Sequence, residues 1–125
     1  MNKLGFHLRL AVVEQAEALE RSGRRKEAVV VYRKAVAAAE ADPDFPVGVR
    51  TSYTYNLGLA LMALGELEQA ERIFAALIAT QGIEPWTLAE SRRLRAMSLN
   101  ELRQFKRSEE FARAAVADYR RLHRD

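Results

Sequence analysis

Apolar residues in this chain recur three and four positions apart in six stretches, each closed by a short polar turn. No stretch alternates with the period of two that a half-buried strand needs. The pattern predicts helices over about 3–22, 25–41, 47–64, 67–81, 86–102 and 105–122. Val29-Val30-Val31-Tyr32 is the one run with β-propensity, but Ala28, Tyr32 and Ala35 keep helical spacing around it, so it stays in the second helix. Gly23 and Gly65 stand where the apolar periodicity stops, the place for a residue that takes the left-handed conformation at a helix end. Two longer breaks, Asp42-Pro43-Asp44-Phe45-Pro46 and Gln81-Gly82-Ile83-Glu84-Pro85, divide the chain into thirds. Pro46 and Pro85 are expected at first helical positions, where a missing amide hydrogen costs little.

The thirds repeat one another. Gly65 through Leu77 matches Gly23 through Ala35 in its punctuation: a glycine, an alanine five residues on, an aromatic four further. A third copy runs from Arg103 to Ala115, with Ser108 and Ala112 where the alanine and the aromatic stood. The small residues have a packing reason, because two antiparallel helices at closest approach leave no room for a large side chain. Ala28, Ala70 and Ser108 meet that need in the second helices, and Ala16, Gly58 and Ala96 in the first. Tyr32 or Phe74 then fills the space opened by the tilt between helices, and Leu19, Leu57 and Leu61 complete the seam.

In the middle unit, Asn56-Leu57-Gly58-Leu59-Ala60-Leu61 followed by Leu64-Gly65-Glu66-Leu67-Glu68-Gln69-Ala70 and Phe74 resembles the tetratricopeptide repeat almost position for position. The first unit keeps Leu19, Gly23, Ala28, Tyr32 and Ala35 but has Gln15-Ala16 for the leucine-glycine pair. The third is degenerate, with Arg95-Ala96, Arg103 and Ala112 at the marker positions. Ala28, Ala70 and Ser108 are 42 and 38 residues apart, against about 34 in the family, so both links carry extra residues. The resemblance implies an all-α fold: a right-handed superhelical stack of about three helix-turn-helix repeats, an α-solenoid of six helices. The repeats would span about 3–41, 47–81 and 86–122 of one domain, 1–125.

The resemblance also implies a non-catalytic scaffold whose first helices line a concave groove for a peptide or protein partner. Carried over position by position, the groove comprises Leu10, Val13, Glu14, Glu17 and Arg21, then Ser52, Tyr55, Asn56, Leu59 and Met62, then Glu90, Arg93, Leu94, Met97 and one of Asn100 or Glu101. One branch of the family grips a peptide carboxylate with lysine, arginine and asparagine. Asn56 falls on its central asparagine, but Val13, Glu17, Glu90 and Leu94 break the rest of the pattern. Phe111 is out of register in the last helix, where a terminal repeat should turn polar. With Phe105 and Tyr119 it marks a possible homodimer surface. Trp86, just after Pro85, reads as a packing anchor.

Composition narrows the chemistry further. At 125 residues the chain is long enough for a real core. It has no cysteine and two histidines, which excludes disulfides and thiolate chemistry and leaves zinc poorly supplied. No apolar run reaches signal-peptide or membrane-span length, so a cytoplasmic protein without membrane contact is expected. His7 and His123 lie at opposite ends, and there is no nucleophile elbow, phosphate loop or metal spacing, so neither enzymatic activity nor a cofactor is expected. The net charge of +3 is uneven: residues 1–85 sum to −1 and residues 86–125 to +4. The arginines behind that excess occupy several helix faces with little aromatic interleaving, which speaks against nucleic acid as the partner.

Overall fold

The computed structural model describes the backbone of residues 3–124 and the side chains of residues 11–124. The side chain of Leu10 thus lies outside the described residues. Among the described residues six helices follow in order: α1 (Lys3–Arg21), α2 (Arg25–Glu40), α3 (Val47–Ala63), α4 (Leu67–Ile78), α5 (Pro85–Glu101) and α6 (Phe105–Leu122). The helix reading of the sequence is shown, with two local differences. Helix α4 stops at Ile78, three residues early, because Gly82 (φ 77°) and the turn before it already redirect the chain. Pro46 is the residue before α3, at φ −58° and ψ 124°, and not its first turn. Pro85 does open α5, where the Glu84 carboxylate accepts hydrogen bonds from the amides of Trp86 and Thr87, both at 3.1 Å.

The three hairpin turns are the same turn. Gly23, Gly65 and Arg103 have φ of 79°, 79° and 65°. The amide that follows each reaches back to a carbonyl five residues earlier: Arg24 to Leu19 at 2.8 Å, Glu66 to Leu61 at 2.9 Å, Gln104 to Leu99 at 2.9 Å. Arg103 therefore performs a glycine's task with a Cβ attached, at a cost of roughly 1–2 kcal/mol.

Packing runs along the chain. α1 packs on α2 and α3, α3 on α4, α4 on α5, and α5 on α6. One core cluster joins Ala16, Ala28, Tyr32, Leu57, Leu61, Ala70, Phe74, Leu77 and Leu94, and a smaller one holds Ala39, Val49 and Tyr53. The small residues sit where the repeat requires them. A Cβ added at Gly58 would stand 2.6 Å from the Phe74 ring, so glycine and aromatic are complementary there. At the equivalent place in the last hairpin, Ser108 is buried and its hydroxyl donates to the Ala96 carbonyl at 2.8 Å, tying α6 to α5. Arg92 binds both carboxylate oxygens of the buried Asp118 at 2.7 and 2.8 Å, a second tie between these helices.

Candidate protein-binding surface

α1 lies directly against α3, whereas α5 is held to the rest mainly through α4. A cleft therefore opens between α3 and the start of α5. Gly48, Thr51, Ser52, Tyr55 and Asn56 form one wall, Glu84, Trp86 and Thr87 the other, around about 460 Å³. Tyr55 stands edge-on to Phe74, ring centres 6.3 Å apart, which fixes its ring against the core. Burial and the nearby Glu90 carboxylate push its hydroxyl pKa up, and Arg93 partly offsets this. The Asn56 amide donates to the Ser52 carbonyl at 2.8 Å, one turn back, and is committed to its own helix. Trp86 is not the packing anchor expected from its place after Pro85: it is 51% exposed. The cleft thus presents two aromatic rings among hydroxyl and amide groups. That combination suits an extended segment offering an apolar side chain and backbone hydrogen bonds.

The remaining groove positions divide. Glu17 is exposed and Val13 half-buried on α1, and Leu59 and Met62 are half-buried against the main core. Arg93 and Met97 face elsewhere, into a second pocket of about 560 Å³ between α5 and α6, with Ala96, Asn100, Glu101, Ser108, Ala112, Ala115, Val116 and Tyr119. Glu90 connects the two concavities. Its carboxylate accepts from Arg93 at 2.9 and 3.0 Å and from the Tyr119 hydroxyl, and it lies beside Tyr55. Tyr119 lines the second pocket, and Phe105 is exposed on α6. Phe111 does face its partner helix: Arg95 of α5 lies 3.9 Å from its ring centre and also binds Glu71 of α4 at 2.7 Å.

The basic last third is largely self-compensated. Of its ten cationic side chains, Arg92, Arg93, Arg95, Arg107, Arg113 and Arg121 are held in ion pairs with Asp118, Glu90, Glu71 and Glu109. A phosphate backbone would have to break those pairs to use them. Among the described residues no group of acidic or histidine side chains gathers as a metal site, and no helix is long and apolar enough to cross a membrane.

Comparison with known proteins agrees with this architecture. Comparison with curated proteins returns no match. Among solved structures, the crystal structure of the TPR domain of Arabidopsis FLU superposes with a TM-score of 0.72 over 97% of this chain and 99% of that one, at 17% identity. That likeness is one of fold. The tetratricopeptide repeat profile matches residues 11–42 and 52–80, the first two hairpins. The third hairpin repeats their turn geometry and small-residue contacts without their sequence markers. Such repeats are interaction scaffolds that typically carry no catalytic activity. With two of its hairpins matched as tetratricopeptide repeats, the chain belongs to the tetratricopeptide repeat family.

Proposed function

We propose that the chain is a non-catalytic scaffold, acting in the cytoplasm as one domain of three repeats, that binds a peptide or protein segment along its first helices α1, α3 and α5. The observation that carries this reading is the cleft beside Tyr55, where an exposed tryptophan and a core-braced tyrosine share one concavity with Ser52 and Asn56. Aromatic rings with one apolar face and one polar edge are the residues that most often dominate binding energy. Val13, Glu17, Leu59 and Met62 extend the surface towards α1 as flanking contacts. Arg93, held by Glu90, faces the second pocket and stands outside this surface. The decisive comparison is affinity capture with wild type against a Tyr55→Ala/Trp86→Ala double variant. Partners retained by wild type and lost by the variant support the cleft; equal capture by both removes it.

One observation favours a second reading, self-association through the last hairpin. Met97, Phe105 and Val116 are three of the few large apolar side chains left exposed among the described residues, and all lie on α5 and α6.

A further inference from the structure

We infer that the open face of the α5–α6 hairpin is a two-fold interface between two copies of this chain, the Phe105 ring of each entering the pocket that Ala112 leaves in the other. The inference rests on the self-association reading and is independent of the cleft beside Tyr55.

The pocket has a clear origin. A shift of 38 residues places Ala96, Ser108, Ala112 and Ala115 on Gly58, Ala70, Phe74 and Leu77. In the middle repeat those four positions are closed: Phe74 fills the gap over Gly58, both are buried, and α5 packs against α4 alongside. In the last repeat the ring is missing, and among the described residues no further helix lies over the face. The result is the pocket of about 560 Å³, ample for an aromatic ring, floored by alanines and rimmed by Met97 and Val116.

The missing ring is present on the same face. Phe105, 56% exposed, lies seven residues before Ala112, two helical turns along α6. Those turns separate the two positions by roughly 10 Å, so a helical Phe105 cannot fill its own pocket. A two-fold axis across α6 lets each copy supply the other's ring, the reciprocal arrangement an isologous contact requires. The charges permit it as well. On the flank of this face Lys106, Glu109 and Arg113 follow one another along α6, so with Phe105 over the other copy's Ala112 the two Glu109 carboxylates meet near the axis, each with a basic side chain of its own flank on either side. Arg113 and Glu109 now pair in solvent at 2.5 Å, a contact that exchanges partners at little cost.

Light scattering on eluting protein, from low to high micromolar concentration, tests the interface with two variants. Phe105→Glu removes the exposed ring. Ala112→Phe restores the aromatic of the middle repeat, and Ala16 and Tyr32, at the equivalent positions of the first repeat and buried in one core cluster, show that alanine and aromatic coexist in this fold. The expected result is twice the chain mass for wild type and the single-chain mass for both variants, at unchanged helix content by circular dichroism. Wild type that stays at the single-chain mass throughout overturns the inference and the self-association reading together. A wild-type dimer that persists in Phe105→Glu overturns this interface alone, and that variant changes only an exposed side chain.

Discussion

Arg103 shows how far one residue can depart from a repeat without changing it. It holds φ 65° where its counterparts are glycines at 79°, and its turn closes with the same hydrogen bonds. Arg103→Gly should therefore raise unfolding stability by up to about 1 kcal/mol, the relieved Cβ strain being partly offset by glycine's greater unfolded freedom. A chemical denaturation midpoint reads this directly, and an unchanged or lower midpoint would contradict it. Tyr32 offers a second test. Burial, with Glu20 and Glu17 nearby, pushes its hydroxyl pKa up to about 12. The unfolded chain loses that proton near pH 10 and the folded chain later. The fold must then lose stability between about pH 10 and 12, where the native state holds the extra proton. Tyr32→Phe should flatten this part of the stability profile; an identical alkaline decline in the variant would show that other groups cause it.

The six helices were legible in the sequence because each hairpin needs the same local devices. A residue in the left-handed conformation and a small residue at the crossing recur in all three, and an aromatic one turn later in the first two, marks that do not depend on distant neighbours. What was not legible depends on distances between elements. Trp86 looks like an anchor until the spacing of α3 and α5 is known, and Phe111 looks unpartnered until Arg95 and Glu71 are placed beside it. The hairpin α5–α6 also relies on ties that no repeat pattern announces. The Asp118 side chain is only 5% exposed while accepting from Arg92, whereas Glu109 and Arg113 pair in solvent. Asp118→Ala should cost on the order of 2 kcal/mol, since it strips a partly buried arginine of its partner. Glu109→Ala should cost less than about 0.5 kcal/mol. Comparable losses in the two variants would mean that the buried pair contributes no more than a surface one.

Taken together, the hairpins make a stack whose interior is packed and whose two roomier concavities have different origins. The cleft between α3 and α5 arises because α4, not α3, carries α5; the pocket on α6 arises because an alanine replaces an aromatic. Of the groove positions read from the family pattern, Ser52, Tyr55 and Asn56 line the first of these, while Arg93 and Met97 line the second, a division that only the packing of the last repeat reveals. Of the arginines that gave the sequence its basic tilt, Arg92 ties α5 to α6, and Arg95 and Arg107 tie both helices to Glu71 of α4.

The chain contains a single tryptophan, and it stands in the cleft. Its emission is thus a direct report from the proposed binding surface. Peptides selected against the protein from a random library should shift Trp86 emission to the blue as they bury the ring, and Tyr55→Ala should weaken their binding at least about tenfold, the scale of a lost aromatic anchor. Peptides that bind with no change in Trp86 emission, and equally well to Tyr55→Ala, would contradict the assignment of the cleft between α3 and α5 as the partner site.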